Sequence, residues 1–486
     1  MIYDIIFFKY FQYLNLGFLI MDKDKLKNNV NTFWDKNIVP ALINYIKIPN
    51  KSPSFDKNWK KNGHMDRVLR LANKWTKKHL PKNGKIIIKE SANRTPLLLV
   101  DIPGSRKGNI LMYGHLDKQP EMEGWENGLG PWEPVMKNDK LYGRGGADDG
   151  YALFASICAI NSLLEQNFEL PRILILIEFS EESGSPDLPY YVDLCSEEIN
   201  KPDLVICLDS GAGDYKRFWT TTSLRGLVGC SLRVDVLKEG VHSGGASGYV
   251  PSSFRIARQL LSRLEDEKTG EIIIKDLHAK IPKHRIFETK KLVSILGNEL
   301  IEEFPWKKKM KPSTDNLTEG VLRRTWSPAL SVVGANGLPL SENAGNVLRP
   351  YTQLQLSIRI PPTVDSSIAT KAIKKALEKD TPYDAYISLD FEEAATGWNA
   401  PKISDWLSKA IKSSSLDFFG KEDCSMSEGG TIPFMAMLGE KFPDAQFVIT
   451  GVLGPGSNAH GPNEFLHISY AKKLTCCIAS IINDFN

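Results

Sequence analysis

Five separated stretches of this 486-residue chain gather histidine and carboxylate side chains, a donor set suited to holding a divalent cation and moving protons. In chain order they are Gly114-His115-Leu116-Asp117, then Gly143-Arg144-Gly145-Gly146-Ala147-Asp148-Asp149-Gly150, then Ser180-Glu181-Glu182-Ser183-Gly184, then Asp209-Ser210-Gly211, and finally Asn458-Ala459-His460-Gly461. Two histidines and several carboxylates, with no cysteine among them, suit zinc or a similar ion. Two ions about 3.5–4 Å apart would need one carboxylate to bridge them. One further carboxylate must stay off the metals to take a proton from water. The adjacent pair Glu181-Glu182 offers that division, because neighbouring side chains at a strand end point different ways. Each piece also has a plainer reading. Gly-His-x-Asp serves as a turn with a capping aspartate, Asp148-Asp149 as a helix N-cap, and Glu-Glu as a solvated loop.

The elements that must position these residues favour the chemical reading. Residues 109–114, 172–178, 203–208 and 446–451 are short runs that are apolar on both faces, as a parallel sheet covered by helices requires. Residues 151–164 supply an apolar helix between the first two runs, which is the βαβ rhythm of an open α/β sheet. The donor stretches fall after these runs, and open α/β sheets bind ligands outside the carboxyl ends of their strands. Helical spacing at 31–48 and 66–79 suggests a helical lead-in. Between about 221 and 393 the texture changes. Residues 227–236 and 351–360 alternate, as strands with one buried face do, and helices are expected at 252–267 and 366–379. That is an α+β unit inserted into the first, since the parallel texture resumes after Gly397. The Lys-rich run 306–312 reads as a solvated loop.

Composition narrows the classes. Hydrophobic residues make up 42% and charged residues 24%, which argues against disorder. Lys plus Arg number 61 against 58 acidic residues, so a net charge of +3 gives no electrostatic case for nucleic-acid binding. Seven cysteines, an odd number spread over a long chain, do not form a disulfide framework. Cys476-Cys477 are expected as buried thiols, and a reducing compartment, the cytoplasm, is the default. Residues 1–20 are rich in apolar side chains but interrupted by Asp4, Lys9, Gln12 and Asn15. They make neither a clean membrane span nor a signal peptide. We expect an unstructured or non-native extension with translation starting at Met21; a membrane anchor is the lesser alternative.

The order GHLD, LYGRGGADDG, EESGS, a strand ending in Asp, HSG, SIR-x-P, EGG-[ST]-IP and AHGPNE resembles the di-zinc metallopeptidase family. That family includes carnosinase, cytosolic nonspecific dipeptidase, glutamate carboxypeptidase, aminoacylase, acetylornithine deacetylase and succinyl-diaminopimelate desuccinylase. The resemblance runs from about Met21 to the C-terminus and is closest to the carnosinase and nonspecific-dipeptidase branch. It implies an α/β fold, a mostly parallel sheet covered by helices, carrying an inserted α+β lid and dimerisation domain. The catalytic domain would span 21–220 and 395–486, and the lid 221–394.

The resemblance also implies roles. His115 and Asp209 would hold one zinc, Glu182 and His460 a second, and Asp148 would bridge them, with Mn or Co as possible replacements. Asp117 would fix the His115 ring and its tautomer. Glu181 would be general base and then acid in peptide-bond hydrolysis by a metal-activated water. His242 would enter the partner subunit's site in a homodimer joined through the lid. Arg359 would bind the substrate's terminal carboxylate, although a cross-strand ion pair is the plainer reading. Asn346 would contact the substrate or the oxyanion, and Glu428 the free amino group, with Gly429, Gly430 and Thr431 shaping that pocket. Two positions depart from the pattern. Asp148-Asp149-Gly150-Tyr151 stands where the family commonly shows DDKG, and Lys118 replaces an apolar residue, setting an extra cation at the cleft edge. The implied activity is a dipeptidase. The alternatives are an N-acyl amino-acid deacylase or carboxypeptidase, and a catalytically silent metal-binding or dimerisation protein.

Overall fold

The structure, a computed structural model, describes residues 20–485. The expectation for residues 1–20 falls outside them, save for Ile20. The chain enters through the helix Lys23–Phe33, a π turn at Trp34–Ile38 and the helix Val39–Ile46, followed by His64–His79. Six strands of the main sheet come next: β1 Lys85–Lys89, β2 Leu97–Ile102, β3 Asn109–His115, β4 Arg172–Glu178, β5 Leu204–Cys207 and β6 Trp219–Leu224. A second sheet is then built from β7 Gly226–Asp235, β8 Ala329–Asn336, β9 Tyr351–Ile360 and β10 Tyr386–Phe391. The chain returns through β11 Trp398–Asn399, β12 Cys424–Glu428 and β13 Gln446–Ile449.

The main sheet runs β1-β2-β4-β3-β5-β13-β6-β11, with β12 beside β6. Its centre, β4-β3-β5-β13, is parallel, and these are the four runs expected from the sequence. Between their polar ends they are apolar because both faces are covered. Leu98 and Val100 pack on one side with the helices Ala152–Leu164 and Ile468–Asp484. Leu97 and Leu99 pack on the other with Leu188–Leu194 and Pro433–Lys441.

The second sheet runs β8-β9-β7-β10 and is antiparallel throughout. Along β9 buried and half-buried residues alternate, and the buried set forms a separate core under the helices Ser253–Leu261 and Ser366–Glu378. Each of these helices starts on a capping oxygen, from Ser252 and Asp365 respectively. The first is shorter than expected, because the chain turns after Leu261 into a bridge between Glu265 and Ile272. Residues 283–326 behave differently from their neighbours. Their helices Lys283–Leu296 and Leu317–Trp326 send Leu292, Leu296 and Val321 into a core of the main sheet. Residues 306–311 are exposed, as the Lys-rich composition suggested. All seven cysteines are free and buried. Among the described residues no helix is long and apolar enough to cross a membrane.

Candidate active site

The carboxyl ends of the parallel strands converge on one cleft. His115 closes β3, and its Nε2 lies 3.3 Å from Asp148 Oδ1 and 3.7 Å from Asp209 Oδ2. The other oxygen of Asp148, Oδ2, lies 3.0 Å from His460 Nε2, which is 3.3 Å from Glu182 Oε2. Two triads result, His115-Asp148-Asp209 and Asp148-Glu182-His460, each with its donor atoms within 4.8 Å of one another. They share Asp148. The first triad is buried, and the second reaches solvent at His460, whose side chain is 55% exposed.

Local packing explains how the chain reaches this arrangement. The Asp148–Asp149 peptide is cis, and Asp149 turns inward so that its Oδ2 accepts the His115 N–H at 3.3 Å. That approach needs a glycine at 114, where a Cβ would meet Asp149 Oδ2 at 2.7 Å and Ala152 Cβ at 2.6 Å. Glu181, Glu182 and Ser183 form a single 3₁₀ turn after β4. Asp117 accepts from the N–H groups of Glu181 and Glu182 at 3.1 and 2.9 Å, while its Oδ1 sits 3.3 Å from His115 Nδ1. One carboxylate thus sets both the imidazole and the turn.

Three contributors carry no role in the sequence reading. Gln119 donates Nε2–H to Glu182 Oε2 at 2.6 Å. The ion pair between Arg144 and Glu464, 2.6 Å long with both side chains at most 1% exposed, ties the Asp148 loop to the His460 loop. Its partners stand 320 residues apart. The only hint was an arginine and a glutamate inside otherwise small-residue motifs.

Charge is concentrated here. Burial pushes the Glu181 and Glu182 carboxyls well above the usual range, reinforced by Asp209 and Asp148 respectively. Burial also raises Asp209 to about 7. Burial works against the His115 imidazolium, yet Asp209, Asp117 and Asp148 outweigh it and raise its pKa well above normal. His460 is raised in the same way, with Asp148 prevailing over burial. For Asp148 burial loses to the two imidazoles, and its pKa falls. The donor set therefore fits divalent cations: oxygen and imidazole donors, no thiolate, and more acid than the two rings can neutralise.

The sequence model of Peptidase family M20/M25/M40 matches residues 111–484, a span that includes every member of both triads. The chain belongs to this family. A cysteinylglycine-S-conjugate dipeptidase of Corynebacterium striatum is 28% identical over 381 residues, 75% of this chain and 79% of the relative. A Cys-Gly metallodipeptidase of Saccharomyces cerevisiae is 26% identical over 385 residues, 75% of this chain and 76% of the relative. The fold is similar to that of human carnosine dipeptidase 1, with a TM-score of 0.77 and 20% identity over 96% of this chain and 99% of that one.

In this M20-family peptidase the substrate residues expected from sequence divide into two groups. Arg359, at the end of β9, donates Nη1–H to Thr431 Oγ1 at 2.8 Å, and Thr431 donates to the Arg225 carbonyl at 2.6 Å. Its cross-strand neighbours are Leu227 and Ala329, so the ion-pair reading fails. Arg225, missed in the sequence, donates to the Gly429 carbonyl at 3.1 Å. Burial, with Arg359 and Arg324 nearby, lowers its pKa to about 10. Glu428 ends β12 beside Asp209, its Oε1 accepting from Ser210, Gly211 N–H and Thr221 at 2.9, 3.1 and 2.6 Å. Gly430 is exposed. His242 and Asn346 lie apart from this cleft's polar network. They are exposed on a small ribbon, Val241–His242 against Val347–Leu348, where the Ser243 N–H donates to the Asn346 carbonyl at 2.8 Å.

Lys118 corrects an expectation. It does not edge the cleft but is fully buried, donating from Nζ to the carbonyls of Tyr45 and Ile48 at 2.8 Å each. Both carbonyls lie at or just beyond the end of the helix Val39–Ile46 and already accept backbone N–H groups, from Ile48 and Asn50 respectively, so the ammonium adds a second bond to each at the negative end of the helix. Burial lowers the Lys118 pKa well below normal. Tyr45 also fills the space beside Gly150, where a Cβ would meet its ring at 2.3 Å. The departure from DDKG is therefore matched to that tyrosine.

Proposed function

We propose that this M20-family enzyme is a di-zinc dipeptidase, hydrolysing the peptide bond of short peptides with free amino and carboxyl ends. The observation that carries the reading is the pair of triads sharing Asp148 through its two oxygens, beside a glutamate that belongs to neither. In this reading His115 and Asp209 would hold one ion and Glu182 and His460 the other, with Asp148 common to both donor groups. Manganese or cobalt would suit the same donors. When bound there, such ions would supply polarisation of the scissile carbonyl and a lowered pKa for the attacking water. Glu181 would take the proton from the attacking water and return it to the leaving amine. A carboxyl lifted above its usual range by burial is better suited to hold and return a proton than a solvated one. Asp117 holds the Glu181 turn and the His115 ring in one register.

Arg359 with Thr431 takes the substrate carboxylate, and Glu428 meets the ammonium. An acylated amine offers no positive charge to Glu428, which sets the deacylase reading second. The relatives named above are dipeptidases, which supports the same substrate class. We further propose a cytoplasmic homodimer joined through the second sheet. Seven free thiols suit a reducing compartment. β8 is an edge strand with Val332 48% and Val333 64% exposed.

One metal-analysed preparation tests the function. Unblocked dipeptides, N-acetyl amino acids and succinylated amines are compared side by side. Two ions per chain and turnover confined to unblocked dipeptides are expected; faster cleavage of N-acetyl amino acids would hand the assignment to a deacylase.

A further inference from the structure

A cavity of about 920 Å³ opens beside both triads. One wall is Gly211–Gly213, two residues beyond Asp209, together with Glu428 and Gly429. A second wall is the loop carrying Asn458 and Pro462, which flank His460. The third comes from residues 292–324, the helical segment that packs on the main sheet rather than on the second one. Arg359 and Thr431 take no part in its lining. The cavity therefore lies on the Glu428 side of the cleft.

We propose that this cavity is the specificity pocket for the N-terminal residue of the substrate, and that it selects a long aliphatic side chain ending in a cation, as in lysine or arginine. The proposal rests on the dipeptidase reading. A dipeptide with its carboxylate at Arg359 and its scissile bond at Asp148 must direct its amino-terminal residue towards Glu428, and that side chain into this space. The volume is at the upper end for small-molecule pockets, far more than glycine or alanine needs. Leu292, Leu296, Leu300 and Val321 give it an apolar side along which a methylene stem can lie. Its charge is one-sided. Glu126, Glu299, Glu302, Glu303 and Glu428 line it against the single Arg324, which already pairs with Glu303. A cation brought there finds several carboxylates at once, whereas a second anion meets only repulsion.

The test is kcat/KM of the metal-loaded enzyme for Lys-Gly, Arg-Gly, Met-Gly, Ala-Gly and Glu-Gly. Methionine matches the stem length without the charge. Lys-Gly and Arg-Gly should exceed Met-Gly by about five- to tenfold, the yield of one or two exposed charge pairs, with Glu-Gly the poorest. The preference should shrink in about 0.5 M salt, because the glutamates are solvent-facing. In E299Q/E302Q, where both positions are exposed, the Lys-Gly to Met-Gly ratio should fall. Equal rates for Lys-Gly and Met-Gly at low salt would overturn the proposal while leaving the dipeptidase reading in place. So would preferential cleavage of Lys-Ala-Gly, which would make the cavity a site for a third residue. Failure to cleave any dipeptide would remove both.

Discussion

Asp148 is the residue on which the site turns, since each of its oxygens faces a different imidazole. Glu181 shares the turn of Glu182 but belongs to neither triad. Replacing it with glutamine keeps the shape and removes the proton acceptor. Glu181→Gln should therefore retain the metal content of the parent while kcat falls by about 10²–10⁴. Turnover at the parental rate, with metal content measured on the same sample, would exclude Glu181 from proton transfer. The convergence of His115, Asp148, Glu182, Asp209 and His460 was legible because each follows a strand or opens a helix, where side chains face the crevice. Gln119, Arg144 and Glu464 were not, because their importance lies in a partner far away in sequence. Lys118 was misread for a related reason. Its neighbours in sequence are cleft residues, but its ammonium points back to a helix end that only the folded chain brings near.

At the scale of elements, the site depends on loops being clamped to one another. The loop after β4 is braced from the N-terminal segment, where Ser52 Oγ lies 2.5 Å from Ser183 Oγ and the Ser52 N–H donates to the Lys118 carbonyl at 2.9 Å. The loops bearing Asp148 and His460 are joined by Arg144 and Glu464, with Glu464 also accepting the Gly145 N–H at 2.9 Å and Arg144 donating to the Gly461 carbonyl at 2.7 Å. Glu464→Ala would leave a buried guanidinium without its carboxylate. The expected cost is about 3–5 kcal/mol, read from urea unfolding of metal-free protein so that metal binding does not contribute. An unfolding midpoint within error of the parent would show that the pair does not hold these loops. The four parallel strands were readable from apolar runs alone, because burial on both faces leaves no room for polar alternation. Among the antiparallel flanks, β1 is only partly buried and β11 has two residues, so both gave weak signals; β2, an apolar run buried on both faces, was overlooked.

At the scale of the whole molecule, two sheets with separate cores meet around one cleft. The second sheet was visible in the alternation of β7 and β9. Its neighbour 283–326 was not separable, because amphipathic helices look the same whichever core they join. The exposed ribbon carrying His242 leads to a complementation experiment. If this histidine serves the partner's cleft, mixing His242→Ala with Glu181→Gln builds heterodimers with one intact site. Activity should rise from near zero to roughly a quarter of the parent, the share expected when half of the randomly paired dimers regain one of two sites. No recovery in mixtures shown to exchange subunits would mean that His242 does not act in the partner's cleft. The buried thiols extend the same division of the fold. Cys230 lies in the core of the second sheet, Cys195 and Cys207 under one face of the main sheet, and Cys158, Cys424, Cys476 and Cys477 under the other. Burial pushes Cys230 and Cys424 up to about 12, so alkylating reagents find little thiolate until a layer opens. The chain thus carries its own set of clocks, one for each compartment, and the order in which they start records which part of the enzyme loosens first.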